Sequence, residues 1–155
     1  MNQGKTIIIG IGNSGRQDDG LGWLFLDFLR EKKFVHLDLE YRYQLQIEDA
    51  ELISNYQTVI FVDAVKNELK EGFYLKGCKP SSKYGFSTHE LAPETILYLT
   101  ENLYNHRPKA FIFGILGDQW NLETGLSEIA KLNFIKAKEY FEKSMSEHKS
   151  VIPVS

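Results

Sequence analysis

Cysteine is nearly absent from this chain: Cys78 stands alone among 155 residues. A lone thiol cannot close an intramolecular disulfide or join a second cysteine in a zinc or redox motif, so a reducing compartment is expected. Long apolar runs are missing too, and no stretch approaches the roughly 20 apolar residues that a membrane-spanning helix needs. After Lys5 the chain has only five apolar or glycine positions before Gly12 and Asn13, too few for a signal-peptide core. A cytoplasmic protein with no membrane partner is the expectation. Nor does one sign of charge dominate: 18 basic and 21 acidic residues leave a net charge of -3, and they are interspersed. That excludes the basic stripe with which a protein neutralises nucleic-acid phosphates. There is no internal repeat, no low-complexity tract and no linker rich in Pro, Gly or Ser.

What is present suits one domain with one real core, since 43% of residues are hydrophobic. The expected domain covers 1–150, followed by a short tail, 151–155. Lys5–Gly10 is a β-branched run ending in glycine, the pattern of a strand buried on both faces of a parallel sheet. Leu21, Leu24, Phe25, Phe28 and Leu29 then fall at helical spacing, with basic residues at the end of the segment. Val35–Tyr43 reads as a strand, Glu48–Asn55 as a short helix, Thr58–Val62 as a second buried strand and Phe73–Lys76 as a weaker one. Pro93 opens a helix to about Leu103, Ala110–Leu116 is the last strand, and a closing helix runs from Ser127 to about Met145. Strands alternating with helices predict a three-layer α/β/α sandwich around a mostly parallel, twisted sheet of about five strands.

The loop Gly10–Gly22, GIGNSGRQDDGLG, joins the first strand to the first helix and therefore lies at the carboxyl edge of the sheet, where binding crevices form. Gly10, Gly12 and Gly15 spell a dinucleotide-binding GxGxxG. Asp18 and Asp19, however, stand just ahead of the helix, where a pyrophosphate would sit, and like charges repel. No nucleotide cofactor is expected. Gly4-Lys5-Thr6 ends like a P-loop but precedes the strand and lacks the upstream glycine.

Two further segments carry chemistry. Asp63, in Val62-Asp63-Ala64, follows a run of β-formers and should reach the same edge. His89, in Ser87-Thr88-His89-Glu90-Leu91, comes just before a helix start, whose positive dipole end keeps an imidazole neutral and available as a ligand. The bland alternative for this loop is a capping box between Ser87 and Glu90. His89-Glu90 is a near miss to the zinc-protease HExxH, excluded because Pro93 occupies the second histidine's position. Each acid alone could be a cap or a surface turn. Together, Asp19, Asp63 and His89 form a donor set suited to a divalent first-row metal such as nickel or zinc. His36, His106 and His148 have no partner at ligand spacing, and Cys78 reads as a small packing residue. Trp23, Phe25, Phe28, Phe111 and Phe113 fall at core periodicities, whereas Trp120 is expected to be exposed near the site.

On these motifs the chain resembles the hydrogenase maturation proteases, whose marks are a strand followed by GxGN and D-D/E-G-x-G, then VDA, then an STH loop. All three occur here in that order, and the likeness extends to the Gly125-Leu126-Ser127 turn. The resemblance implies an endopeptidase that removes the C-terminal extension of a nickel-loaded [NiFe] hydrogenase large-subunit precursor. Asp19, Asp63 and His89 would recognise nickel that arrives on the precursor, and would form the catalytic site. Which aspartate acts as base is left open. A monomer is expected, because the substrate must dock on the open edge. Tyr43–Glu48 departs from the family's glycine-rich turn, with QLQ in its place, and is a candidate substrate contact. The alternative is a noncatalytic metal-sensing or scaffold protein with the same fold.

Overall fold

The computed structural model describes residues 2–34, 37–83 and 91–148. Strand β1 (Asn2–Ile11) is followed by a 3-10 turn (Gln17–Gly20) and helix α1 (Leu21–Lys32). Then come β2 (Leu37–Arg42), α2 (Glu48–Ile53), β3 (Tyr56–Val65) and β4 (Phe73–Gly77). Helix α3 (Pro93–Tyr104), β5 (Lys109–Leu116) and α4 (Glu128–His148) complete the order. The sheet order is β2-β1-β3-β5-β4, parallel throughout except for β4, which runs antiparallel to β5 at the edge.

Ile7, Ile8 and Ile9 are all buried, as expected of a strand covered on both faces. Because successive side chains point to opposite faces, Ile7 and Ile9 join Val59, Phe61, Ile53, Ile96 and Leu97 under α2 and α3. Ile8 goes the other way, with Ile60, Val62, Phe25, Leu26, Phe113 and Phe141 under α1 and α4. The result is the expected three-layer sandwich.

Several boundaries differ by a few residues from the sequence reading, and two of them are informative. β3 does not stop at Val62: Asp63, Ala64 and Val65 stay paired with Gly114, Ile115 and Leu116 of β5. Of the Val35–Tyr43 segment, the strand takes Leu37–Arg42, and each of its residues is half-buried because β2 is an edge strand. His36 lies outside the described residues. His106 has a structural place, its ring Nε2 standing 2.6 Å from the Tyr56 carbonyl oxygen. Among the described residues no helix is long and apolar enough to cross a membrane.

Candidate functional site

The chain leaves β1 toward β2 on one side and returns at β3 on the other, so the order of strands reverses between β1 and β3. Loops diverge at such a switch point, opening a crevice outside the carboxyl ends of the strands. The β1–β3 pairing ends at Gly10 and Val62. Asp63 is therefore the first residue of β3 with no β1 neighbour in the ladder, and Asp19 lies in the loop that follows β1. The two aspartates thus belong to segments at the carboxyl ends of adjacent strands, each half-buried.

Close backbone contacts hold Asp19 there. The Asn13 N–H donates to the Asp19 carbonyl at 3.1 Å, and the Asp19 N–H donates to the Arg16 carbonyl at 3.1 Å. Gly12 has φ +146°, and a Cβ at that position would collide with the Asp19 carbonyl oxygen. The Gly12 N–H donates to Arg42 O at 2.9 Å, tying the loop to the end of β2. Gly22 lets α1 settle onto the strand ends: a Cβ there would lie 2.5 Å from Val62 O and 2.7 Å from Ile11 O. The glycines of the loop serve close backbone packing around an acid.

Asp63 accepts a local hydrogen bond from the Ala64 N–H at 2.8 Å. It stands opposite Gly114, which stands opposite Tyr74 on β4, so the three share one face. With no side chain at 114, the Tyr74 ring lies over that position; a Cβ on Gly114 would be 2.7 Å from Tyr74 Cζ. Burial raises the Tyr74 phenol pKa, and the charge of Asp63, then that of Glu94, raises it further. Tyr74 is thus a phenol on the same face as Asp63 and within reach of its charge, a neighbour that sequence reasoning missed. The signal was Gly114 inside an otherwise apolar strand, a mark of close approach by another group.

Asp18 corrects the sequence reading, which set it beside Asp19 as a charge facing the loop. Its fully buried side chain points instead toward α4. The carboxylate accepts hydrogen bonds from the N–H groups of Asp118 (2.7 Å), Gln119 (2.8 Å) and Ser127 (2.8 Å), and from the Ser127 hydroxyl (2.6 Å). Burial pushes the Asp18 pKa up, but these bonds, led by that from the Ser127 hydroxyl, outweigh it and hold the carboxyl below its ordinary value. Ser127 in turn caps α4, its Oγ accepting from the Ala130 N–H at 3.2 Å. Gln17 adds to the same clasp: its Oε1 accepts from Asn121 N–H, and its amide donates to Gln119 and Glu123. Asp18 and Gln17 fasten the 117–127 segment, while Asp19, one residue on, is only half-buried. Trp120 in that segment is half-buried rather than exposed, with the Lys66 ammonium 5.0 Å from its ring centroid.

On the β2 side, Trp23 donates to Arg42 O at 2.9 Å, and its ring lies 5.0 Å from that of Tyr43. In the Tyr43–Glu48 segment, which follows β2, Leu45 is buried while Tyr43 (69%) and Ile47 (54%) are exposed. His89, the third expected donor, lies outside the described residues. Among those described, no three His, Cys, Asp or Glu side chains are grouped to hold a metal ion.

No family model and no curated protein matches the chain. Solved structures do. The [NiFe] hydrogenase maturation protease HycI from Thermococcus kodakarensis is 21% identical, with 92% of this chain and 93% of that one covered at a TM-score of 0.71. The hydrogenase maturating endopeptidase HybD from Escherichia coli is 13% identical, with 93% and 94% covered at 0.68. The hydrogenase 2 maturation peptidase from a Thaumarchaeota archaeon is 18% identical, with 91% and 97% covered at 0.65. The fold is that of the hydrogenase maturation proteases. In all three the likeness covers more than nine-tenths of both chains.

Proposed function

We propose that this protein is a hydrogenase maturation endopeptidase: it removes the C-terminal extension of a [NiFe] hydrogenase large-subunit precursor, in the cytoplasm, after nickel has been loaded. The observation that supports this reading is the position of Asp19, in the loop after β1, and of Asp63, just past the β1 ladder on β3, at the carboxyl ends of adjacent strands in a fold shared with proteins of that activity. Nickel is part of the substrate, held by the precursor, and Asp19, Asp63 and His89 supply oxygen and nitrogen donors of the kind a divalent first-row metal accepts. A metal so placed would polarise the scissile carbonyl. One of the two aspartates takes the proton from the attacking water, and the Tyr74 phenol is a donor on the same face as Asp63. Tyr43 and Ile47, exposed in the segment after β2, offer apolar contact to the peptide around the cleavage point.

The test is incubation of the protein with nickel-loaded and nickel-free precursor, following the C-terminal extension by mass spectrometry, with His89→Ala in parallel. Cleavage of the loaded precursor alone, lost in the variant, is the expected result. Failure to cleave any cognate precursor would replace this reading with that of a noncatalytic metal-sensing protein.

A further inference from the structure

Helix α4 buries one stripe, Ala130, Asn133, Ala137, Phe141 and Ser144, against the sheet. Its outer side should then be polar, as it is on α1, where Asp27, Arg30, Glu31 and Lys32 face solvent. Instead the outward stripe of α4 carries Ile129 (48% exposed), Leu132 (61%) and Ile135 (47%). Three large aliphatic side chains along one exposed helix face mark a contact surface.

The pattern around them is symmetric about Leu132. Ile129 and Ile135 stand three residues to either side, and Glu128 and Lys136 stand four to either side with opposite charge. At about 100° per residue, Glu128 and Lys136 flank the Leu132 direction at about 40° on its two sides. In an antiparallel pair of identical helices related by a twofold axis at Leu132, residues equally distant from the axis come level with each other. Leu132 then meets its own copy, Ile129 comes level with Ile135, and each Glu128 comes level with a Lys136 of the other chain. A parallel pairing would set Glu128 beside Glu128 and Lys136 beside Lys136. Within one chain Glu128 already bridges Lys131 at 3.1 Å, yet it is 89% exposed and open to a second cation.

From this self-complementarity we infer that the outer face of α4 is the interface of a homodimer, two α4 helices packing antiparallel across Leu132. The face lies on the outside of the α1/α4 layer. This dimer replaces the monomer expected from the sequence.

Sedimentation velocity from low micromolar to submillimolar concentration tests the inference on the full chain, with circular dichroism confirming that each variant is folded. Wild type should show a reversible monomer–dimer equilibrium. Leu132→Glu should weaken it by about a hundredfold or more, because the axis position occurs in both chains. Glu128→Lys should weaken it about tenfold by creating two like-charge contacts, and Glu128→Lys with Lys136→Glu should return it to within about threefold of wild type. A wild type that is monomeric throughout overturns the dimer and leaves the face to a different partner. A dimer unaffected by Leu132→Glu overturns the face, and failure of the double swap to restore association overturns the antiparallel register.

Discussion

Asp18 and Asp19 are chemically identical neighbours in different surroundings, one fully buried and one half-buried, and only tertiary structure separates them. The donors that satisfy Asp18 lie at Asp118, Gln119 and Ser127, about a hundred residues on, where no local pattern reveals them. Asp18→Asn replaces an acceptor-only group with an amide that faces N–H donors, and should cost about 2–3 kcal/mol in urea denaturation. Because folding lowers the Asp18 pKa, its contribution is fully present above the ordinary carboxylate value of 3.8 and is lost as pH falls through the folded value. The stability gap between wild type and variant should therefore be constant near neutrality and narrow only below about pH 4; a gap that closed between pH 7 and 5 would refute this account. Cys78 carries a prediction of the opposite kind. Burial pushes its thiol up to about 12, helped by Glu94, so it is protonated and inert at neutral pH. A thiol reagent should leave the native protein unmodified and label one group per chain in urea, and rapid native labelling would contradict the packing role read from the sequence.

Strands and helices were legible where burial imposed a period. The triple isoleucine of β1 and the helical spacing from Leu21 to Leu29 gave those elements directly, because both are packed against the sheet's core. The extent of β3 was not legible: an aspartate after an apolar run reads as an exit from the strand, whereas its ladder with β5 continues to Val65. The 3-10 turn was hidden as well, since Gln17 adopts φ +50°, a conformation unusual outside glycine. The place of the glycine loop, by contrast, could be read from the order of strand, loop and helix, because a parallel sheet puts that loop at its carboxyl edge. What the sequence concealed is why α1 sits so close. Gly22 lets the helix rest on the carbonyls of Ile11 and Val62, the residue before Asp63. Gly22→Ala pushes a methyl group against two backbone oxygens, which cannot swing aside as a side chain would. A loss of about 1–3 kcal/mol is expected, seen as a lower thermal midpoint, together with weaker peptidase activity if the proposed site is correct. An unchanged midpoint would mean that α1 is not seated on the strand ends as described.

At the scale of the molecule, both halves of the core share one sheet. Ile7, Ile8 and Ile9 alternate between the α2/α3 layer and the α1/α4 layer, and Val59, Ile60 and Phe61 do the same on β3. Neither layer can be stripped away without exposing the back of the strands that the other covers, so the two layers should unfold together. Two truncations test this from opposite sides. Phe25→Ala removes a ring in contact with Phe28, Phe113, Phe134 and Phe141, and Ile96→Ala removes a fully buried side chain on the other face. The first should cost about 3–5 kcal/mol and the second about 2–5. In each variant, tryptophan fluorescence and far-ultraviolet circular dichroism should report one coincident urea transition, shifted to lower denaturant with its slope unchanged. The fluorescence signal is selective, since Trp23 is on α1 and Trp120 is in the 117–127 segment clasped by Asp18 and Gln17. If Ile96→Ala separated the two signals, with ellipticity falling while the tryptophans kept their native environment, the α2/α3 layer would be an independent folding unit and the shared-sheet argument would fail.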